Sequence, residues 1–564
     1  MRQALGRSDP IHSPGTAVAG PAAACAALFV LAIVVQIVGM NRIVGAYDEG
    51  LMLYGAQRVA RGDVPYRDFW TMYGPGGFYV TAWLFGLFGE SVWVARAFDV
   101  VSRAAVVVLI FANLRTAVGG GAALIAALLG LALLVAVQAY AFPIFPALAC
   151  SLAALYAVAC TERAQPDSAL GWAVVAGAST ALCMLIRHDL GTYTLLAVAA
   201  SFIAIGPPRD AKAALAFATG LLGVLLPAVA FFVWAVPLSL LYENLILIPL
   251  TVYPPFRSLP FPSVAGAIRN SLETMSLKPV AGLIVYLPLI VGAVAAFFIA
   301  RGQQGGNHLT DSIARFGLPA RAMLMLLVMN ILFYLKGAVR VEALHLAPAL
   351  VLSLLLGTLL MQHIPLRLLR VAITMFFIAV AVGRLVEHSR ATTLLLPAMR
   401  ALFDPTSGAH DLPTCAGAAL PRLRCFGVDA DRVAVLAYLQ HYASATDTLY
   451  VGVDRHDKIF VNNIELYFLS GLGSVTRWHD LHPGIQTTHA IQQTMIDEMR
   501  RHAPDFVVLN AQWDSRQEPN RSAVSSGVTL LDDHLRANFA PVFTAGTLTV
   551  LRPAGVASGS AAKR

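Results

Sequence analysis

The densest run of reactive side chains is AYDEGLMLYGAQRVARGDVPYRDFWTMYGPGG, residues 46–77. Asp48 and Glu49 stand side by side near its start. Two adjacent acids just outside a hydrocarbon layer could hold a divalent cation such as Mg or Mn, or take a proton from a hydroxyl nucleophile. They also precede a helical stretch, 50–61, closed by Gly62, where acids satisfy free amides and suit the helix dipole. Tyr54 and Arg58, four residues apart, share one helical face. Pro65, Tyr66, Arg67, Asp68 and Phe69 follow, then Gly74-Pro75-Gly76-Gly77. A bare connector needs no such mixture of acids, bases and rings. Arg58 and Arg67 are therefore candidate ligands for an anionic group.

Two later constellations are rich in cations. Arg187-His188-Asp189 ends an apolar run at 168–186. Arg187 can clamp a phosphate or carboxylate while Asp189 orients it; equally, the two can pair with each other and snorkel. Lys336, Arg340 and His345 surround the gap between two further apolar runs, and Lys336 and Arg340 are four apart. Cation clusters at a membrane face bind phosphates; snorkelling is again the plain alternative. Residues 242–262, rich in aromatics and Pro and containing Arg257, suit an irregular loop over the membrane surface.

The elements that must position these groups are membrane helices. Of 564 residues, 57% are hydrophobic and 13% charged, and the mean hydropathy is +0.68. That excludes a soluble globular chain and a disordered one. Lys+Arg outnumber Asp+Glu 25 to 16 up to residue 390, but stand 15 to 16 beyond it. A basic apolar body thus precedes a near-neutral polar tail. The net +8 comes from Arg at membrane edges and points to no nucleic-acid partner.

Eleven spans are expected: 18–40, 94–114, 118–138, 141–160, 168–186, 190–207, 213–236, 280–300, 320–336, 343–361 and 368–387. The first reads as a retained anchor and not a cleaved signal. A shorter stretch, 76–89, reads as interfacial or half-inserted. Arg2, Arg7, Arg115, Arg163, Arg209, Lys212, Arg301, Arg315, Arg321, Arg367 and Arg370 alternate correctly to mark the cytoplasmic side. That sets 41–93, 187–189, 237–279, 336–342 and the tail outside. Arg42, Arg58, Arg61, Arg67 and, at the outer edge of the 94–114 span, Arg96 stand on that side against the rule. Cys25, Cys150, Cys160 and Cys183 fall in spans as small core residues. Cys415 and Cys425 could bridge a ten-residue loop in an oxidising compartment.

One span, an outward loop opening Asp48-Glu49-Gly50, a short helix ending Arg61-Gly62, then Pro65-Tyr66-Arg67-Asp68-Phe69 and Gly74-Pro75 resembles the GT-C class of membrane glycosyltransferases. The pattern is closest to bacterial relatives of the protein-mannosyltransferase and aminoarabinose-transferase group. The resemblance covers the organisation of the body to about 390 and, in sequence, mainly 46–77. It implies an all-α polytopic domain over 1–390 with a catalytic first loop at 41–93. It also implies a polyprenyl-phosphate sugar donor and transfer at the outer face of a bacterial inner membrane. Asp48, with Glu49 beside it, matches the class's first-loop acid, catalytic or metal-associated. A late basic patch in this class is assigned to the lipid phosphate, which implies Arg187, Lys336 and Arg340 here.

The tail, 391–564, reads as a small extracytoplasmic α/β domain. Helices are expected at 431–442, 464–472, 488–502 and 530–538, and strands at 448–454, 458–462, 505–510 and 547–552. The end beyond Pro553 reads as frayed. No Gly-rich phosphate loop follows a strand. His456, His479, His482 and His489 lack zinc-motif spacing. The Asp480-Leu481-His482-Pro483-Gly484 stretch, with the later Glu518-Pro519-Asn520, resembles the tails of some bacterial members of the class, which implies acceptor recognition or packing over the site.

The expected reaction moves a sugar from a polyprenyl-phosphate donor to a hydroxyl of a lipid, glycan or protein acceptor, with membrane lipids as surroundings. No cofactor beyond the divalent cation is implied. Three rivals stand beside it. A structural or scaffolding role in envelope assembly, with the tail as a binding module, predicts that Asp48, Arg187 and Arg340 lie far apart. A transporter or flippase predicts internal repeats and broken helices at mid-membrane; the first loop has no second copy. A polysaccharide polymerase or ligase predicts its key residues in a large late outward loop, whereas the richest signal here is in the first.

Overall fold

The computed structural model describes residues 20–137, 140–206, 211–274, 282–304, 308–388, 420–424 and 426–557. Among them, nine helices are long and apolar enough to cross a membrane: Pro21–Val38 (α1), Val92–Val118, Ile144–Arg163, Pro166–Ile186, His188–Ile205, Ala211–Ala235, Gly282–Gln304, Ala320–Val339 and Ala343–Met361. The other two expected spans form helices as well. Gly120–Ala136 is apolar but shorter, and Arg367–His388 carries Arg at its start. The expected basic positions at Arg2, Arg7 and Arg209 and the Cys415–Cys425 pair lie outside the described residues.

After α1 the chain makes the helix Asp48–Ala60 (α2), the short apolar helix Gly76–Phe88 (α3) and then Val92–Val118 (α4). Trp83, Leu87 and Phe88 of α3 stay exposed, as fits a helix lying in the lipid interface. The stretch around Arg257 departs from expectation. Instead of an irregular loop, it runs as Leu238–Tyr242, a π-helix Glu243–Val252 and Tyr253–Arg257. Pro249 lies inside the π-helix and supplies no amide hydrogen to it, while Pro254 and Pro255 fall in the first turn of Tyr253–Arg257, where no amide partner is needed.

The tail carries a five-stranded sheet in the order β2-β1-β3-β5-β4. The strands are Thr448–Val453 (β1), Gly473–Ser474 (β2), Phe506–Asn510 (β3), Phe539–Ala545 (β4) and Leu548–Pro553 (β5). β1 pairs parallel with β2 and β3, with Leu449 opposite Phe506; β5 runs antiparallel to β3 and β4. Five of the six β1 residues are buried, as for a central strand covered on both faces. The four expected helices form. Of the expected strands, 458–462 does not. There the Asn462 amide donates to the carbonyls of Val451 (3.1 Å) and His479 (2.9 Å), so side-chain bonds replace a ladder. β2 and β4 were not among the expected strands; β4 lies at the sheet edge, where Pro541 is tolerated.

Body and tail share one apolar core. Leu436, Leu449, Ile464, Tyr467 and Phe468 of the tail belong to the same cluster as Leu51, Leu53 and Phe78. The first loop is the seam. Val44 N donates to Gly427 O, Gly427 N to Arg42 O, and Trp70 N to Arg477 O, each at 2.9 Å. Gly50 explains the third letter of Asp-Glu-Gly: a Cβ there would strike the backbone of Glu465.

Candidate active site at the body–tail seam

α2 begins at Asp48, with Tyr47 as its N-cap. Glu49 holds this helix end in place. It is 0% exposed and pairs through both oxygens with Arg96 of α4, at 2.6 and 2.7 Å. Arg96 also donates to the carbonyls of Asn41 and Ile43, and Gly45 N donates to Glu49 at 2.8 Å. Buried charges persist only when paired and hydrogen-bonded in this way. The two adjacent acids therefore point to different tasks: Glu49 is an anchor, and Asp48 is left half-buried at the seam.

Three cations act on Asp48. Burial, with the charge of Glu342, pushes its carboxyl up to about 6, against the pull of Arg257, Arg340 and Arg187. Each arrives on a different element. Arg187 sits in the turn between Pro166–Ile186 and His188–Ile205. Arg257 ends the helix Tyr253–Arg257. Arg340 follows Ala320–Val339.

Arg187 is placed by the Gly-Pro stretch of the first loop. A Cβ on Gly74 would come 2.6 Å from Leu185 O and 3.0 Å from Ile186 O, so glycine lets the loop touch the helix end beneath Arg187. Tyr66, held in the left-handed backbone region at φ 70, donates its hydroxyl to Tyr73 O at 2.6 Å. Tyr73 in turn lies under the Arg187 guanidinium, 5.7 Å from ring centre to Cζ. Arg187 forks onto Asp189 at 2.9 and 3.1 Å. Lys336 approaches Asp189 at 3.9 Å and His345 Nδ1 at 3.4 Å. Arg187 is 8% exposed, and its Nη1 has no hydrogen-bond partner among the described residues. A buried guanidinium with a spare donor suits an oxyanion.

Arg340 is differently engaged. It forks onto Glu518 at 2.8 and 3.0 Å, contacts Glu342 at 3.1 Å and donates to Arg257 O at 3.1 Å. The structure thus brings together Asp48, Arg187, Asp189, Lys336, His345 and Arg340. It leaves Arg58 and Arg67 elsewhere. Arg58 bonds Asp63 at 2.6 Å and Asp68 O at 2.9 Å, and Arg67 pairs with Asp68 at the surface. Those bonds fold the Pro-Tyr-Arg-Asp-Phe turn.

The sequence left Arg257 in an irregular loop and did not single out Tyr47, while Asp480 stood in a stretch expected to serve acceptor recognition or packing over the site. Arg257 donates to His482 Nε2 (3.3 Å) and Phe460 O (2.9 Å) and covers the Tyr47 ring at 5.8 Å. The available signals were weak: Arg257 is the lone cation between Lys212 and Arg269, and Asp480 sits in a short polar run. No group of three or more His, Cys, Asp or Glu is gathered for a metal ion among the described residues. Glu49 has both oxygens committed, so Asp48 is the one free carboxylate of the expected cation pair.

The structure aligns with crystal structures of ArnT from Cupriavidus metallidurans. With ArnT bound to undecaprenyl phosphate the TM-score is 0.55 at 16% identity, covering 96% of this chain and 99% of that one. With apo ArnT it is 0.54, again at 16% identity, covering 95% and 99%. The chain has a GT-C fold. A family model described as dolichyl-phosphate-mannose-protein mannosyltransferase matches residues 72–234, the stretch of the GT-C fold from the first loop's end to Ala211–Ala235. An Archaeoglobus fulgidus oligosaccharyltransferase in complex with Zn and sulfate is also similar, at TM-score 0.46 and 13% identity over 86% of this chain and 68% of that one. No curated protein sequence matches.

Proposed function

We propose that this protein is a membrane glycosyltransferase that moves a sugar from a polyprenyl-phosphate donor to an acceptor hydroxyl. The observation that carries this is the placement of Asp48, half-buried and within electrostatic reach of Arg187, Arg257 and Arg340. The alignment with ArnT along nearly the whole chain supports it, as does the match to the mannosyltransferase family model. Undecaprenyl phosphate, the ligand of that ArnT structure, is the donor carrier we infer here.

The donor chain lies among the helices, with its phosphate against Arg187 and Lys336 and with Arg340 in reach. Asp48 takes or aligns the acceptor proton. The hydroxyl oxygen attacks the anomeric carbon opposite the phosphate, a C–O bond forms as the sugar–phosphate bond breaks, and the centre inverts. The cations offset charge growing on the leaving phosphate. With a carboxyl pushed to about 6, Asp48 is mostly ionised at neutral pH yet still basic enough to take a proton. Sugar, acceptor and any cation requirement belong to the same reading. Eleven spans, counting Gly120–Ala136 and Arg367–His388, give a cytoplasmic N-terminus and an outward tail in a bacterial inner membrane.

The test is incubation of the purified protein with polyprenyl-phosphate sugars and a membrane extract, with and without Mg or Mn. Sugar transfer and release of the lipid phosphate are expected from the wild type, and neither from Asp48→Asn. Full transfer by Asp48→Asn sinks the assignment.

A further inference from the structure

The tail approaches Asp48 through one turn, Asp480-Leu481-His482. Asp480 is 1% exposed. Its Oδ1 accepts the Tyr47 hydroxyl at 2.7 Å, and Tyr47 is the residue immediately before Asp48. Two positions on, His482 Nε2 accepts from Arg257 at 3.3 Å, and Arg257 both covers the Tyr47 ring and pulls on Asp48. A single tail turn therefore grips the backbone neighbour of Asp48 on one side and a cation partner of Asp48 on the other. The turn is itself held from beneath. Asn462 Oδ1 accepts from Leu481 N at 3.2 Å, and Gln486 accepts from His482 N at 2.7 Å.

We propose that Asp480 is a positioning residue that sets Asp48 through Tyr47, so that the C-terminal domain supplies part of the active site. This rests on the reading of Asp48 as the reacting carboxylate. The chemistry is a hydrogen bond across the seam: a buried carboxyl oxygen fixes the phenol, and the phenol fixes the first turn of α2. The groups facing the Asp480 carboxyl are Tyr47, Arg257, Asp48 and Tyr73; those facing Asp48 are Asp480, Glu342, Arg257, Arg340 and Arg187, with Tyr73, Tyr140 and Tyr253. Burial and the charge of Asp48 hold Asp480 up at about 7, while the Tyr47 bond and Arg257 pull it down.

Two arms test the proposal on the full-length protein. The first needs no substrate: carbodiimide labelling of Asp480 across a pH series, located by peptide mass spectrometry. In Asp48→Asn the half-labelling pH of Asp480 is expected to fall by on the order of one unit, since a like charge is gone. In Tyr47→Phe it is expected to rise, since a donor to the ionised form is gone. An Asp480 midpoint unmoved in both variants overturns the proposal.

The second arm is sugar transfer. Asp480→Leu and Tyr47→Phe are each expected to lower kcat by about 10- to 100-fold, with donor KM unchanged. The double variant is expected to be no worse than the poorer single. Asp480→Asn still accepts from Tyr47 and is expected to keep most of the rate. Losses that multiply, or full activity in Asp480→Leu, overturn the proposal. Should Asp480→Leu not fold, Tyr47→Phe combined with Asp480→Asn decides the same question. A wild type that transfers no sugar defeats the glycosyltransferase reading, and the labelling arm still decides the positioning.

Discussion

Asp48 and Glu49 are neighbours in sequence with opposite fates. Glu49 has no solvent exposure and is locked by Arg96. Asp48 keeps access and is surrounded by charges on other elements. Replacing Glu49 by Gln leaves the buried Arg96 without its counter-ion, at a cost of about 3–5 kcal/mol; a clearly lowered melting temperature in detergent is the expected readout. Asp48→Asn, by contrast, is expected to abolish transfer while leaving insertion and melting unchanged. The sign of the pH dependence follows from the raised carboxyl. A base must be ionised to act, so rate is kept above the folded value and lost as pH falls through about 6. A transfer profile flat from pH 5 to 8 speaks against Asp48 as the base.

At the scale of elements, the first loop works as a wedge between body and tail. Gly50 lets α2 lie on the backbone of the helix Glu465–Ser470, and the Tyr54 ring stacks on Tyr467 at 4.7 Å. Gly50→Val is expected to lift the tail from the body. Limited proteolysis should then cut the tail of the variant much faster than that of the wild type; equal rates contradict the role given to Gly50. The Gly74 approach to Leu185 and Ile186 does the matching job for Arg187. These motifs are legible in the sequence as unusual composition. Their partners are not, because Glu465 and Leu185 are distant along the chain.

At the scale of the molecule, cations from three separate elements meet one acid, and the tail closes the arrangement. Arg340 spends its fork on Glu518, so a lipid phosphate reaching Arg340 competes with a carboxylate. Glu518→Gln weakens that competitor. Undecaprenyl phosphate is accordingly expected to bind the variant more tightly than the wild type, by up to about tenfold, the equivalent of 1.4 kcal/mol, as read by titration in detergent. Unchanged or weaker binding removes Arg340 from the phosphate site.

Much of this was legible in residue order. Apolar run lengths announced the membrane helices, because a span must satisfy its own backbone. Short apolar runs announced three of the five strands, and the loop opening Asp48-Glu49-Gly50 stood out by its mixture of acids, bases and rings. Pairing was not legible. Glu49 and Arg58 look as available as Asp48 and Arg187 until Arg96 and Asp63 are seen beside them. Asp480 lies more than four hundred residues from Tyr47, and a hydrogen bond at that separation leaves no periodicity to read. Composition and period are local properties that the chain carries by itself; whether a charge is spent on a neighbour or left for a substrate is decided only when the tertiary fold brings the neighbour.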